Sequence, residues 1–170
     1  MASLIKCLAP IETQDSNVLI LGSMPSITSI KNRQYYAHPQ NQFWQIIQKI
    51  IGVTAKLNYS NKIKMLNQAK IALWDMLASC IRPGSADSKI TNGISNDINN
   101  FLQTHPDISK ICLNGITAAN YFRIYQNNNL NSIFPKKRNL QICKLPSTSP
   151  ANARISFNQK YQIWRSALTN

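Results

Sequence analysis

The chain has 170 residues, of which 44% are hydrophobic, and carries a net charge of +13 from 19 Lys and Arg against 6 Asp and Glu. This length suffices for one domain with its own core, and no apolar run approaches the roughly 20 residues of a membrane-spanning helix. The excess of cations favours a polyanionic partner, most often nucleic acid, although a general compositional bias toward Lys, Asn and Ile would give the same excess.

The amino-terminal segment and the cysteines indicate a reducing, cytoplasmic setting. Residues 1–15 lack a charged start followed by a long apolar stretch, so we expect no signal peptide. The four cysteines are widely spaced and form no CxxC pair, which is typical of scattered reduced thiols rather than of a zinc or redox site. With 2 His and 6 acidic residues in the whole chain, we expect neither a metal nor a cofactor.

Apolar runs typical of strands alternate with patterns typical of helices. In chain order these are a strand at 17–24, helices at 43–51 and 61–68, a strand at 70–76, a helix marked by Ile94, Ile98, Phe101 and Leu102, a strand at 110–115, a helix at 116–126, a strand at 140–146 and a helix at 157–168. Polar turn or loop segments are predicted at 127–131 and 135–139. The alternation predicts an α/β fold whose central parallel sheet has four strands and is flanked by helices.

All four predicted strands end in small or polar residues. The first runs into Gly22-Ser23-Met24-Pro25, the second into Asp75, the third into Asn114-Gly115 and the fourth into the segment 146–150, which reads PSTSP. Because the carboxyl ends of parallel strands share one edge of the sheet, where ligands bind in α/β folds, we expect a binding site at this edge.

The loop after the first strand carries Tyr35, Tyr36, His38 and Asn41 just before the helix at 43–51. The tyrosines are either partly buried loop aromatics or a platform on which a planar base stacks. His38 is either a structural histidine or a donor that lines the site. Asn41 is either a helix cap or an amide that positions a water or ligand, and the two roles are compatible.

Two further candidates lie at the ends of later strands. Asp75 needs hydrogen-bond partners, which are either nearby backbone amides or an N–H of a ligand. The segment 145–152, LPSTSPAN, is either a capped turn before the last helix or a rigid loop whose Ser and backbone N–H groups contact phosphates, with Arg154 close by.

Two motifs carry a resemblance to a known family. GSMPS…YYAHPQNQFW follows the first strand and LPSTSPANA follows the last, while ALWDML and CLNG fit the strands between them. The chain resembles the uracil-DNA glycosylase superfamily and, within it, the hypoxanthine-DNA (deoxyinosine) glycosylase branch. The resemblance implies a three-layer α/β/α sandwich, formed by residues 1–170 as a single DNA glycosylase domain. It also implies hydrolysis of the N-glycosidic bond of a deaminated base that is flipped out of the duplex.

The chain departs from well-known members of that superfamily at two positions. Met24 stands where others have an acidic or amide residue that activates water, and Leu145 stands where the second motif of the uracil enzymes has His or Asn. The resemblance to the hypoxanthine branch places the catalytic role on Asn41 instead. A dissociative reaction asks little of its nucleophile, so hydrogen bonds that stabilise the leaving purine anion carry the catalysis.

The resemblance also implies two sets of binding residues. The base is expected to contact Gly22, Ser23, Met24, Tyr35, Tyr36, His38 and Asp75, of which Asp75 accepts from N1–H of hypoxanthine. The DNA backbone is expected to contact Pro25, Ser26, Ser147, Thr148, Ser149, Asn152 and Arg154, and the stretch 150–154 is the candidate plug for the vacated base stack. No motif supplies a Schiff-base lysine, so no lyase activity is expected.

Two alternatives remain at this stage. One is a mismatch-specific uracil or xanthine glycosylase, and the other is a catalytically silent nucleic-acid-binding module, which Met24 and Leu145 favour. Asn41 together with Tyr35 and Tyr36 favours an active enzyme. The expected partner is DNA that contains a deaminated base, with no membrane association, and the expected state is a monomer in the cytoplasm of a bacterial-type cell, associated with the nucleoid.

Overall fold

A computed structural model describes residues 4–128 and 139–169 of the chain. Its strands are β1 Leu4–Lys6, β2 Val18–Gly22, β3 Ile71–Asp75, β4 Leu77–Ile81, β5 Thr91–Ser95, β6 Lys110–Asn114 and β7 Gln141–Leu145. Its helices are α1 Ile27–Asn32, α2 Phe43–Ile51, α3 Tyr59–Gln68, α4 Ile98–Thr104, α5 Ile116–Asn128 and α6 Phe157–Thr169, and a short 3-10 helix covers Asp87–Lys89.

The central sheet is parallel and has the strand order β3-β2-β6-β7. These are the four strands predicted from the apolar runs, and the predicted α/β class is confirmed. In the register of the sheet Gly22 pairs with Asp75, and Asn114 pairs with Leu145. The last residues of neighbouring strands therefore lie side by side at one edge.

Helices cover both faces of this sheet, which gives three layers. Side chains alternate along β2, so that Ile20 packs into one core cluster while Leu19 and Leu21 pack into the other. The first cluster receives side chains from α2, α3 and α6, and the second receives them from α4 and α5. Burial of apolar residues on both faces explains why β2 and β6 are continuous apolar runs.

A second, antiparallel sheet was not predicted. It has the order β1-β4-β5, and β4 begins only one residue after β3 ends. Ile94 was assigned to a helix, which is wrong: it lies in β5 with 62% of its surface exposed, and α4 starts at Ile98 behind the capping residue Asp97. The isoleucine spacing matched a helical period by chance, because β5 is exposed at all five positions and carries no alternating pattern.

The other boundaries agree to within a few residues. Helix α1 was not predicted, and α5 extends to residue 128, into the segment 127–131 that was predicted as a turn. The rest of that segment and most of 135–139 lie outside the described residues. Within the described residues no helix has the length and hydropathy needed to cross a bilayer.

Candidate active site

The site lies where β3, β2 and β6 end, and its centre is a position without a side chain. Gly22 ends β2 between Asp75 of β3 and Asn114 of β6. A β-carbon on residue 22 would lie 2.5 Å from Asp75 Oδ1 and 3.1 Å from the hydroxyl oxygen of Tyr36. The close approach of these two side chains to the backbone therefore requires glycine at position 22. We call the end of the sheet bounded by Asp75, Tyr36 and Asn114 the gap.

Asp75 is a buried acid with an incomplete set of hydrogen bonds. Only 3% of its surface is exposed, and Oδ2 has no hydrogen-bond partner among the described residues. Burial and, to a smaller extent, repulsion from Asp87 raise the pKa of the carboxyl group to about 8 against the opposing attraction of Arg82.

Tyr36 contributes a ring and a hydroxyl group to the same gap. Its backbone adopts φ 52°, in the left-handed region, and this conformation turns the chain between Tyr35 and the next loop residues. The ring stacks on Phe43 with 4.0 Å between centroids. Burial, together with the nearby Asp75, raises the pKa of the Tyr36 phenol, so the hydroxyl remains a neutral hydrogen-bonding group.

Asn114 connects the loops that follow β2 and β7, which carry the two sequence motifs. Its Nδ2 donates to the Tyr36 hydroxyl at 2.9 Å and to Thr148 Oγ1 at 3.0 Å, and its Oδ1 accepts from the backbone N–H of Thr148 at 3.0 Å. A buried amide bonded in this way fixes its neighbours, because each lost bond would leave a polar group unpaired.

Tyr35 faces away from the gap. Its hydroxyl donates to the carbonyl oxygen of Leu8, its backbone carbonyl accepts from Trp44 Nε1, and its ring belongs to the core beneath α2. Of the two adjacent tyrosines, the structure therefore brings Tyr36 to the strand ends and places Tyr35 behind it.

Asn41 lies one residue before Gln42, the N-cap of α2, and its side chain binds the first N–H of the helix. Its Oδ1 accepts from the backbone N–H of Phe43 at 3.0 Å, and its backbone N–H donates to the carbonyl of His38. No described residue accepts a hydrogen bond from its Nδ2. His38 is partly exposed, and its Nδ1 accepts from the backbone N–H of Gln40 at 3.3 Å.

The loop after β7 is held against the start of α2. The carbonyl oxygen of Thr148 accepts from the backbone N–H of Gln42, and Ser147 packs on Gly115, whose φ is +97°. A β-carbon on residue 115 would lie 2.8 Å from the Ser147 β-carbon, so this close approach also requires glycine.

The remaining polar side chains of this loop differ in their accessibility. Asn152 Nδ2 donates to the carbonyl of Ser147, and the backbone N–H of Ser149 donates to Ser147 Oγ. Thr148 is fully buried, so its side chain holds the loop, whereas Arg154 is exposed.

The turn 22–26 is held from behind by the loop that follows β4. Met24 is buried and packs with Leu77 and Cys80, away from solvent. Ser23 Oγ donates to Asp87 Oδ2 at 2.5 Å, and the buried Arg82 donates to the carbonyl oxygen of Pro25. At the end of this turn, the side chain of Ser26 caps α1.

Sequence reasoning missed Arg82 and Asn96 as parts of this site. Arg82 also bonds to the carbonyl of Gly84 and pairs with Asp87 at 3.3 Å. Asn96 Nδ2 donates to the backbone carbonyl of Asp75 at 2.8 Å. The only signal for Arg82 was the Arg-Pro-Gly turn directly after an apolar run, which gives no hint of burial.

The arrangement suits a planar heterocycle. The phenol ring of Tyr36 and the carboxyl group of Asp75 lie together at the strand ends beside Gly22, and they offer an aromatic surface with hydrogen-bonding groups. The base of a nucleotide has these complementary features: a flat ring with an edge of N–H and C=O groups.

Comparisons with known proteins agree with this geometry. The family model of the uracil DNA glycosylase superfamily matches residues 10–167. A protein named hypoxanthine DNA glycosylase from Methanosarcina acetivorans is 34% identical over 148 residues, which cover 86% of this chain and 87% of that protein. A protein of the same name from Methanosarcina barkeri is 34% identical over 113 residues, which cover 66% of this chain and 72% of that protein.

The fold comparison gives the same answer. A solution NMR structure from Methanosarcina acetivorans, described as a candidate uracil DNA glycosylase, superposes with a TM-score of 0.81 at 31% sequence identity, covering 98% of this chain and 97% of that one. The loops that follow β2 and β7 and the parallel sheet that carries them lie within the matched residues. The chain is therefore a member of the uracil DNA glycosylase superfamily.

Proposed function

We propose that the protein is a monofunctional DNA glycosylase that hydrolyses the N-glycosidic bond of deoxyinosine and releases hypoxanthine. The observation that carries the proposal is the convergence of Asp75, Tyr36 and Asn114 on the gap above Gly22. The names of the two Methanosarcina relatives support hypoxanthine as the substrate base.

In the proposed complex the flipped base stacks against Tyr36 and places its polar edge at Asp75. Gly22 lets Asp75 and Tyr36 approach the backbone closely, and the proposed contacts of the base also include Gly22, Ser23 and His38. Met24 and Tyr35 are buried and pack behind the residues that contact the base. The base leaves as an anion, so hydrogen bonds to its ring atoms lower the barrier for a dissociative cleavage.

Asn41 is the proposed catalytic residue. Its Oδ1 is fixed by the Phe43 N–H, while Nδ2 is bonded to none of the described residues and can hold a water molecule. An amide orients water without acting as a strong base, which suffices when the glycosidic bond is largely broken before the water attacks.

DNA contacts are proposed along the same edge of the sheet. Ser147, Ser149, Asn152 and Arg154 extend from the second motif loop, and Pro25 and Ser26 extend from the first, while the buried Thr148 anchors its loop. Phosphate contacts by a chain of net charge +13 make binding strongly dependent on salt. We propose that one chain acts alone, because one chain supplies every group of the proposed site. We also propose that it acts in the cytoplasm, associated with the nucleoid, as expected for an enzyme that repairs DNA.

The test uses duplex oligonucleotides that carry a single inosine, uracil or xanthine. The protein is incubated with each, and abasic sites are then cleaved with alkali. Cleavage with inosine that disappears in Asn41→Ala supports the proposal. Cleavage with uracil or xanthine but not with inosine identifies a glycosylase of different specificity, and salt-dependent binding without any abasic product contradicts enzymatic activity altogether.

A further inference from the structure

Asp75 is buried in a way that does not suit a charged group. Its carboxyl group lies at the end of β3 beside the gap at Gly22, and Oδ2 is bonded to none of the described residues. The nearby amide of Asn96 donates to the backbone carbonyl of Asp75 and not to its carboxyl group. A buried carboxylate with an unpaired oxygen costs several kcal/mol, whereas a neutral acid costs far less.

The titratable and charged groups that face Asp75 do not compensate a negative charge. Tyr35 and Tyr36 approach from the first motif loop and Cys7 from the segment after β1, and burial keeps all three neutral by raising their pKa values. Asp87 contributes repulsion.

The remaining facing group is the cation Arg82, which is committed elsewhere. Its guanidinium group pairs with Asp87 and donates to the backbone carbonyls of Pro25 and Gly84. No counter-ion dedicated to Asp75 is thus present among the described residues, and burial together with repulsion from Asp87 raises the pKa of its carboxyl group to about 8.

We infer that Asp75 is a neutral carboxylic acid in the base-free enzyme and recognises the lactam edge of the flipped base through two hydrogen bonds. Its O–H donates to the carbonyl oxygen of the base, and its C=O accepts from the adjacent ring N–H. This inference rests on the proposed glycosylase function. The substrate class it names is wider than one base, because deamination creates the same N–H and C=O pair in hypoxanthine, xanthine and uracil.

The proton matters for the reaction as well as for recognition. Cleavage of the glycosidic bond leaves its electron pair on the base, and part of that charge resides on the carbonyl oxygen that faces Asp75. A neutral acid donates to this oxygen and stabilises the charge, whereas a carboxylate at the same place would repel it. The same group therefore selects the deaminated edge and favours its departure.

The protonation state can be measured without any substrate. The chain has 5 Asp and 1 Glu, so a protein labelled with 13C at the Asp carboxyl carbon gives five resonances, and Asp75→Asn removes the one to be assigned. We expect this resonance to titrate above pH 7 while ordinary Asp carboxyls titrate near pH 4. A midpoint below pH 5 would overturn the inference, whether or not the protein is a glycosylase.

The second measurement compares Asp75→Asn with Asp75→Leu on an inosine duplex. The amide of Asn offers the same donor and acceptor as a neutral acid, so we expect its rate to remain within about 10-fold of wild type, whereas Leu loses about 100-fold or more. Above pH 8 the wild-type rate falls, while Asp75→Asn declines only where the base itself loses N1–H.

A duplex with 1-methylinosine, which has no N1–H, is expected to be a poor substrate for wild type and for Asp75→Asn alike. Equal inactivity of the Asn and Leu variants, with both folded by circular dichroism, contradicts the paired hydrogen bonds. If wild type excises no deaminated base, the proposed function fails, and the NMR titration still decides the state of Asp75.

Discussion

Asn114 Nδ2 donates a 2.9 Å hydrogen bond to the hydroxyl group of Tyr36, a residue 78 positions earlier in the chain. Strand β6, which carries no motif residue that contacts the base in our proposal, thus fixes the orientation of the ring on which the base stacks. The same amide binds Thr148, so one side chain sets the relative position of the loops that follow β2 and β7.

A double-mutant cycle tests this connection. Asn114→Ala is expected to raise the KM for an inosine duplex more than it lowers kcat, and to cost about 1–3 kcal/mol of stability because Tyr36 and Thr148 lose a buried partner. Tyr36→Phe removes the hydroxyl and keeps the stacking ring. The two substitutions should be non-additive by about 1 kcal/mol in unfolding experiments, and additive effects would show that the bond is not formed in solution.

Gly22→Ala tests the close approach of Asp75 to the backbone of Gly22. The added methyl group would lie 2.5 Å from Asp75 Oδ1, and no positive φ prevents alanine at this position, so the backbone tolerates the change while the Asp75 carboxyl group has to move. We expect loss of inosine excision with little change in binding of undamaged duplex. Gly93→Ala in β5 is the matched control, since its β-carbon meets only side-chain atoms of Leu77 and Tyr121. Full activity of Gly22→Ala would place the base elsewhere.

Asn41 has two separable roles, and a pair of variants distinguishes them. Asn41→Ala removes the acceptor for the Phe43 N–H and should cost about 1 kcal/mol of stability as well as activity. Asn41→Asp retains an oxygen for the cap but replaces the amide donor with a second acceptor. We expect Asn41→Asp to be as stable as wild type in urea unfolding and strongly impaired in excision; an active Asn41→Asp would indicate that the amide donor is dispensable.

The stability of the protein should depend on pH through Asp75. The pKa of this carboxyl group is about 8 in the folded chain against an ordinary value of 3.8, so between these values the folded state retains a proton that the unfolded state has lost. The contribution of the group is therefore complete below pH 4 and is lost as pH rises toward 8, at up to about 1.4 kcal/mol per pH unit. Asp75→Asn lacks this dependence, so its stability relative to wild type should increase from pH 5 to pH 8. Parallel curves for the two proteins would contradict a raised pKa.

The parallel sheet and its helices could be predicted because burial on both faces produces long apolar runs. Strands β2 and β6 are buried almost throughout, and Phe43 to Ile51 has an apolar face with helical spacing that ends at Gly52. The strands of the antiparallel sheet have no comparable apolar runs of their own in the sequence. Strand β1 has three residues, and β4 follows β3 so closely that the two form one apolar run in the sequence.

Which strand ends meet was easier to predict than how the side chains at these ends are oriented. Strand ends in a parallel sheet must meet, so Gly22, Asp75 and Asn114 could be placed at one edge. Which of two adjacent tyrosines faces that edge depends on the positive φ of Tyr36, which no local pattern specifies for a tyrosine. The burial and the contacts of Arg82 could likewise not be predicted from the sequence, because its partners are backbone carbonyls and an acid that only the fold brings together.

Met24 has a consequence for how the first motif can change. Its side chain is packed with Leu77 and Cys80, while the backbone of the turn is held through Pro25 by Arg82. An acidic or amide residue placed at position 24 would lie among apolar side chains without hydrogen-bond partners, at a cost of about 1–3 kcal/mol. The turn is therefore held by its packing and its backbone bonds and not by a polar side chain at position 24, and a single substitution there does not supply a stable water-activating group.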